Sequence, residues 1–255
     1  MARQTAISIN TIPIGPLGIM GMPGCEGLTD KIDQYLVKWR KTQASEHAES
    51  IAFFGYQRDT YKIDVSIPRF GSGEGKGVIN ESVRGYDIYI VCDVFNYSCS
   101  YYMYGRKVYM SPDDHFADLK RVISALCSKP KRVSVIMPML YEGRQHKRSS
   151  RESLDCAMAL KELVHLGVEN IITFDAHDQR VQNAIPDKSF ENVMPTYQMI
   201  KALVNNVEDL NVDKDHLMII FPDEGALHRC IYFATQLGVN LGMFYKRRDY
   251  TRVVN

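Results

Sequence analysis

The sequence lacks several features that would define a protein class at once. Its apolar runs, such as residues 133–140 and 217–222, fall far short of the roughly 20 residues that a membrane-spanning helix needs. The N-terminus has no basic region followed by an apolar core, so no secretory signal is recognised. Charge of one sign is not in excess, with 31 Lys and Arg against 30 Asp and Glu, whereas dedicated nucleic-acid-binding proteins usually carry a strong basic excess. We therefore expect no membrane span and no nucleic-acid partner.

The cysteines do not have the spacing that is typical of a disulfide framework. None of the six cysteines forms a Cys-x-x-Cys pair, and a chain of 255 residues can bury a sizeable core without disulfides. Cys92, Cys127 and Cys156 stand among apolar neighbours. The pattern predicts reduced core thiols in a cytoplasmic protein.

Before residue 87 the sequence is irregular. The Gly- and Pro-rich residues 12–27 predict a loop or a short strand. A helix is expected next, capped by Thr29 or Asp30 and followed by a polar linker over residues 41–50. Four glycines within residues 69–77 indicate a flexible loop.

From residue 87 onward, short apolar segments alternate with segments of helical periodicity. Predicted strands cover residues 87–92, 133–137, 171–174, 217–221 and 239–245. Helical spacing of apolar residues separates most of them. Short, wholly apolar strands alternating with helices are typical of a parallel sheet covered on both faces. The predicted fold class is α/β, with mostly parallel sheets flanked by helices.

Four polar clusters directly follow predicted strands, at residues 143–151, 175–178, 222–225 and 246–249. Ligands of open α/β sheets bind outside the carboxyl ends of the strands, so we expect the clusters to converge on one crevice. The first and fourth are rich in Lys and Arg, which bind phosphate. Asp175, His177 and Asp223 offer ligands for a divalent cation, and Mg²⁺ shared with substrate phosphates suits so few protein groups. The mixture indicates phosphoryl or pyrophosphoryl transfer.

Each cluster taken alone has a simpler explanation. A basic run is most often a solvated surface loop. A single histidine such as His177 is more often a hydrogen-bonded structural residue than a ligand. Asp223 could cap the helix that follows it. Only the joint placement after strands favours a functional site.

Six segments, in order and spacing, resemble one known family: RFGSGE at residues 69–74, SVRGYDIYIV at 82–91, VIMPMLYEGRQHKRSSRESLDCA at 135–157, GVENIITFDAHD at 167–178, IIFPDEGALHR at 219–229 and YKRRDY at 245–250. The chain resembles the N-terminal and middle part of phosphoribosyl pyrophosphate synthetase, or ribose-phosphate pyrophosphokinase. The resemblance implies a phosphoribosyltransferase-like fold and a homo-oligomer. It also implies a first domain over residues 1–186 and an incomplete second domain over 187–255.

The activity implied by the resemblance is transfer of the pyrophosphoryl group of ATP to the anomeric hydroxyl of ribose 5-phosphate, with release of AMP. Matching positions imply roles for nine residues. Those for adenine and ATP binding are Phe70, Ser72, Glu74, Arg144 and Gln145. Those for Mg²⁺ are His177 and Asp223, and those for catalysis are Lys246 and Arg248.

The chain also departs from the family pattern. Ser72 stands where the family usually has Asn or Asp, and His146-Lys147 replaces an acidic-basic pair. No segment of the 255 residues resembles the Thr/Gly-rich ribose-phosphate loop of the family. We therefore expect this chain by itself to be inactive, either as part of a longer synthetase or as a non-catalytic regulatory or scaffolding paralogue. An unrelated phosphate-binding α/β domain is the third hypothesis.

Overall fold

The computed structural model of the chain describes residues 13–46 and 57–244. It divides into two compact units, Met1–Val193 and Met194–Asn255. The strands are β1 (Leu17–Gly21), β2 (Val65–Ser66), β3 (Val78–Ile79), β4 (Asp87–Val91), β5 (Ser100–Met103), β6 (Arg106–Tyr109), β7 (Arg132–Met137), β8 (Asn170–Phe174), β9 (Ser189–Val193), β10 (Met218–Phe221) and β11 (Asn240–Met243). The helices are α1 (Glu26–Glu46), α2 (Pro112–Ala125), α3 (Asp155–His165), α4 (Thr196–Asn206) and α5 (Leu227–Leu237). Among the described helices, none is long and apolar enough to cross a membrane.

The first unit is built on a five-stranded sheet in the order β1-β4-β7-β8-β9. All its neighbouring strands run parallel, with registers such as Val91 opposite Ile136. Its central strands are apolar, and Ile88, Ile90 and Val135 are fully buried in them. The α/β prediction is confirmed. Because the strands are parallel, their carboxyl ends share one edge, and the loops after them meet there.

Two helices of this unit show why the sequence forms helix there. Ser111 and Asp114 cap α2 reciprocally, each side chain receiving the other's backbone N–H, and Pro112 occupies the first turn. The buried face of α2 carries apolar residues at helical spacing, including Phe116, Leu119 and Ile123. α3 buries its own apolar stripe of Cys156, Ala159, Leu160 and Leu163. Both helices join the core of the central sheet.

Helix α1 differs from its prediction. It begins at Glu26, ahead of Thr29 and Asp30, and runs on through residues 41–46, so the cap and that part of the predicted linker are wrong. The hydroxyl of Thr29 donates to the carbonyl of Cys25 at 2.8 Å, and that of Thr42 to the carbonyl of Lys38 at 3.2 Å. Polar side chains that bond back to the preceding turn are accommodated inside a helix. The remainder of the predicted linker, residues 47–50, lies outside the described residues.

Two elements carry little signal in the sequence. β9 is an edge strand of the sheet, and its residues alternate between exposed and half-buried. It therefore lacks the apolar run of the central strands. β5 and β6 form a separate antiparallel hairpin joined by Tyr104 and Gly105. We call it the tyrosine hairpin. It is largely exposed, so burial leaves no pattern in its residues.

The second unit contains α4, β10, α5 and β11. β10 and β11 pair in parallel as a two-stranded sheet of their own. α5 ends at Gly238, whose φ of 68° is the left-handed conformation that glycine adopts readily after a helix. The helices and strands predicted here are confirmed in kind, with β11 ending at Met243.

The six cysteines are all free thiols. Cys25, Cys92 and Cys156 are buried, and burial raises the pKa of each thiol, to about 11 for Cys25 and Cys156. The expectation of a buried Cys127 is wrong, because that residue is exposed just after the end of α2.

Candidate active site

Two loops meet at the carboxyl edge of the central sheet. We call residues 138–146 the β7 loop and residues 175–178 the β8 loop, after the neighbouring strands that they follow. Nε2 of His146 lies 3.3 Å from Oδ2 of Asp178. The rings of His146 and His177 meet edge to face, with centroids 5.1 Å apart. The first two polar clusters of the sequence therefore come together within the first unit.

His146 joins the two loops through both of its ring nitrogens. Nδ1 lies 3.1 Å from the carbonyl oxygen of Arg144, and Nε2 faces the Asp178 carboxylate. Carbonyl and carboxylate oxygens are both acceptors, so each ring nitrogen of His146 lies next to an acceptor. The side chain is only 12% exposed. His146 thus ties the backbone that carries Arg144 to the loop that carries His177.

Asp178 is held in its charged form by a second partner. Arg180 reaches its carboxylate with Nε at 2.9 and 3.1 Å and a terminal nitrogen at 2.5 Å. The backbone N–H of Arg180 also donates to Asp178, at 2.9 Å. These hydrogen bonds from Arg180, with the charge of His146 acting in the same direction, lower the pKa of Asp178 well below its ordinary value. The β8 loop therefore carries a fixed negative charge beside His177.

Both loops contain a residue in the left-handed conformation just before a candidate ligand. Glu142, two residues ahead of Arg144, has a φ of 55°, and Asp175, two residues ahead of His177, has a φ of 46°. Non-glycine residues adopt this conformation at a cost that surrounding contacts must offset, and such residues cluster at functional sites. In the β8 loop, the N–H of Asp175 donates to the carbonyl of Val193 at 3.1 Å.

Tyr141 fastens the β7 loop to helix α2. Its hydroxyl donates to Asp113 at 2.6 Å, and its ring stacks on Phe116 with centroids 4.3 Å apart. Burial, and then the hydrogen bond to Asp113, raise the pKa of Tyr141. These two contacts tie the β7 loop to helix α2.

The two residues expected to bind ATP on this loop differ in their surroundings. The Arg144 side chain is exposed at the edge of the sheet. The Gln145 amide instead donates within its own segment, to the carbonyls of Ser153 at 2.9 Å and Lys147 at 3.3 Å. In this conformation Arg144 presents its cation to solvent, whereas Gln145 shapes the loop.

Phe70, Ser72 and Glu74 lie together on the glycine loop, residues 69–77. The loop closes through the N–H of Phe70, which donates to the carbonyl of Glu74 at 2.9 Å. The Ser72 hydroxyl donates to the Glu74 carboxylate at 2.7 Å. Phe70 is 58% exposed, so its ring is accessible from solvent.

The glycine loop is anchored by a buried ion pair. Arg69 donates to the carboxylate of Asp118, which lies on α2 and is 1% exposed. Arg121 donates to the other oxygen of the same carboxylate at 2.6 Å. Burial raises the pKa of Asp118 above its ordinary value, although both guanidinium groups act in the opposite direction. No sequence motif indicates Asp118; the available signal is a carboxylate between Phe116 and Leu119, on the apolar side of a helix.

Three sequence-derived candidates remain, Asp223, Lys246 and Arg248. Asp223 belongs to the second unit, where its Oδ1 accepts the N–H of Gly225 at 3.1 Å at the start of a 3₁₀ turn leading into α5. Lys246 and Arg248 lie outside the described residues. Within residues 13–46 and 57–244, no group of three or more His, Cys, Asp or Glu side chains could hold a metal ion by itself.

A family model described as the N-terminal domain of ribose phosphate pyrophosphokinase matches residues 17–167. The chain belongs to this family. The match covers β1 through α3, and therefore the glycine loop and the β7 loop.

Curated relatives agree with the family assignment. The chain is similar to ribose-phosphate pyrophosphokinases of Aquifex aeolicus, at 26% identity over 190 residues, and of Helicobacter pylori strain 26695, at 28% over 190 residues. Each alignment covers 72% of this chain, with 54% of the Aquifex protein and 52% of the Helicobacter protein. The chain thus spans about half the length of these relatives.

A solved structure supports the fold. The phosphoribosylpyrophosphate synthetase of Mycobacterium smegmatis is similar with a TM-score of 0.67 and 19% sequence identity. The likeness covers 91% of this chain and 65% of the mycobacterial one. The predicted phosphoribosyltransferase-like fold is therefore confirmed.

Proposed function

We propose that this chain is the ATP-binding part of a ribose-phosphate pyrophosphokinase, which transfers the pyrophosphoryl group of ATP to the anomeric hydroxyl of ribose 5-phosphate. The observation that carries the proposal is the junction of the β7 and β8 loops, where His146 contacts Asp178, His177 and the backbone carbonyl of the exposed Arg144. The names of the relatives support the reaction. Phosphoryl transfer depends on positioning and on neutralising charge, which loops held this firmly can supply.

The roles of individual residues follow from this proposal. Arg144 binds a phosphate of ATP as a planar guanidinium fork. Gln145 is the second ATP-binding residue of this loop, and its amide also keeps the loop in shape. Phe70 stacks on the adenine ring, Ser72 lies beside it, and Glu74 accepts a hydrogen bond from the adenine amino group. The Phe70 side chain is exposed and the Ser72–Glu74 hydrogen bond already orients the carboxylate, which supports these roles. Lys246 and Arg248 neutralise charge on the transferring group.

Magnesium fits this donor set only as a shared ion. Mg²⁺ keeps several waters and takes one or two protein ligands when phosphates supply the others. The described residues offer no self-contained cage, which agrees with such sharing. We propose His177 and Asp223 as candidate ligands, as the resemblance implies, each binding directly or through water; the ion would offset the phosphate charge when bound.

The assembly and compartment belong to the same proposal. We propose that the protein lies in the cytoplasm, because free thiols such as Cys25 and Cys92 persist in a reducing compartment. We propose a homo-oligomer on the resemblance to the family. The alternative function is a non-catalytic regulatory or scaffolding paralogue of an active synthetase. The two differ in whether the complete protein turns over ATP.

The test compares the 255-residue chain with the product of the complete reading frame. With ATP, Mg²⁺ and ribose 5-phosphate, we expect the 255-residue chain to release little AMP, because its sequence contains no ribose-phosphate loop. A longer product that contains this loop should release AMP only when ribose 5-phosphate is present. Ribose 5-phosphate-dependent turnover by the 255-residue chain contradicts the proposed division of the site.

Two variants connect the assay to the candidate residues. ATP should protect the wild-type chain from proteolysis, and Arg144→Ala and His177→Ala should each lose that protection. The matched control is His216→Ala in the second unit, whose imidazole pairs with Asp213 at 2.8 Å. Co-purification of an inactive full-length product with an active synthetase subunit would favour the scaffolding alternative.

A further inference from the structure

The tyrosine hairpin and the glycine loop are packed as one body. The N–H of Tyr104, at the tip of the hairpin, donates to the carbonyl of Gly71 at 2.8 Å. A methyl group placed on Gly73 would lie 3.1 Å from the sulfur of Met103 and 3.2 Å from the ring of Tyr101. The strand before the tip therefore lies directly against the loop that carries Phe70.

A cation reinforces this contact. The Arg69 guanidinium carbon lies 4.3 Å from the centre of the Tyr101 ring, while the same side chain donates to Asp118. The hydroxyl of Tyr101 points to the Asp114 carboxylate at 3.4 Å. Helix α2 thus supports the hairpin and the glycine loop through neighbouring residues, so the two move together.

Tyr104 occupies a backbone position that its side chain disfavours. It has a φ of 48° and Gly105 a φ of 77°, and these two residues alone connect paired Met103 and Arg106. Two-residue hairpin turns with both φ values positive strongly favour Asn-Gly, and a bulky aromatic residue at the first position is strained. The Tyr104 side chain is also 80% exposed, so packing within the described chain offsets little of this strain. A strained and exposed aromatic residue indicates a role for the side chain itself.

We propose that Tyr104 forms a second aromatic contact to the adenine ring that Phe70 binds. This inference rests on the proposed function. Phe70 is 58% exposed and adjoins Gly71, which the Tyr104 backbone binds, so a flat base stacked on Phe70 lies beside the hairpin tip. Purine rings stack favourably on tyrosine and phenylalanine. Tyr104 is therefore a specificity-determining residue for the base, whereas Arg144 binds the phosphates.

The hairpin supplies its own control residue. Side chains alternate along β5, and Tyr101 and Met103 face the glycine loop, so Tyr102 between them faces away. Tyr104 lies beyond the end of β5 in the left-handed turn, where this alternation does not apply. The Tyr102 side chain is 66% exposed, against 80% for Tyr104. It therefore matches Tyr104 in chemistry and exposure but not in access to a base on Phe70.

Calorimetric titration of ATP and of inorganic tripolyphosphate, which has no base, tests the proposal on the wild-type chain and three variants. Tyr104→Asn should weaken ATP binding about tenfold and leave tripolyphosphate binding unchanged. Tyr104→Phe keeps the ring and should keep the affinity, as should Tyr102→Asn. Because Asn tolerates the left-handed turn position, Tyr104→Asn should also raise the melting temperature by about 2–4 °C.

Each contrary outcome has a distinct meaning. Equal ATP affinity of wild type and Tyr104→Asn overturns the proposal, as does an equal loss for ATP and tripolyphosphate, which indicates a distorted loop. A lower oligomeric state of Tyr104→Asn with unchanged ATP affinity assigns the hairpin to contacts between copies and overturns it as well. If the wild-type chain binds tripolyphosphate but not ATP, the proposal that Phe70 and Tyr104 bind the adenine ring is overturned. If it binds neither, the proposed function itself fails.

Discussion

The buried carboxylate of Asp118 on helix α2 accepts a hydrogen bond from the guanidinium of Arg69, the first residue of the glycine loop. Arg121 on the same helix forms an ion pair with the other oxygen of this carboxylate. The loop that carries Phe70 is therefore fastened to the core through one charged contact. Because this contact is buried, its loss should affect both stability and the loop.

We expect Asp118→Asn to destabilise the first unit by about 3–5 kcal/mol, since breaking a buried ion pair leaves an uncompensated charge. Urea unfolding followed by circular dichroism measures the change. The control is Glu162→Gln, which breaks the exposed Lys120–Glu162 pair between α2 and α3 and should cost about 0–1 kcal/mol. Equal effects of the two substitutions would show that the Asp118 pair contributes no more than a surface pair.

Gly77 and Gly71 test how closely the glycine loop approaches α2. A methyl group on Gly77 would lie 2.7 Å from the backbone carbonyl oxygen of Arg121, so the loop or the helix must shift. Gly77→Ala should cost about 1–3 kcal/mol. Gly71 has open space at the same position, and Gly71→Ala should change stability by no more than about 0.5 kcal/mol. Thermal unfolding of both variants compares them directly, and a neutral Gly77→Ala would contradict the close approach.

The pH dependence of stability should reveal Asp178. Its pKa is lowered in the folded chain, chiefly by Arg180, so the stabilisation is full above the pKa of an unfolded aspartate, about 3.9, and is lost as the pH falls through the lower folded value. Asp178→Asn should therefore be less stable than wild type by about 1 kcal/mol at pH 7, discounted because Arg180 is exposed. The difference should shrink between pH 4 and pH 2 by denaturant unfolding at each pH. A difference that stays constant over this range would place the effect elsewhere.

His146 should act on nucleotide binding by holding the β7 and β8 loops together. His146→Phe keeps a planar ring but removes both ring nitrogens, which face the Arg144 carbonyl and the Asp178 carboxylate. We expect ATP to bind roughly tenfold more weakly, as the loss of polar contacts worth about 1.4 kcal/mol predicts. His146→Gln, which retains a donor, should recover part of the affinity. His216→Phe in the second unit serves as the control, and an unchanged affinity in His146→Phe would remove His146 from the site.

The sequence was sufficient for the layers of the fold because burial on both faces leaves apolar strands such as β4 and β7. It was insufficient where burial is one-sided or absent. β9 exposes alternate residues and the tyrosine hairpin is mostly exposed, so neither gives an apolar run. In α1, hydroxyl groups bond back to the preceding turn, and a polar composition therefore concealed helix over residues 41–46.

The candidate site, like the fold, could be predicted from the sequence only in part. His146 and His177 could be placed near each other from the sequence, because clusters that follow parallel strands share one edge of the sheet. The Arg69–Asp118 pair could not, because 49 positions separate its members and no motif links them. The left-handed conformations of Glu142 and Asp175 were not predicted either, because no sequence pattern marked these two positions. What sequence reasoning missed is chiefly the support beneath the candidate ligands.

Hydrogen–deuterium exchange with and without ATP and Mg²⁺ tests most directly whether ATP binds to the glycine, β7 and β8 loops of the first unit. The account predicts slower exchange in residues 69–75, 141–146 and 175–178, and unchanged exchange along α1. Protection that is absent from all three loops, or confined to the second unit, would contradict it.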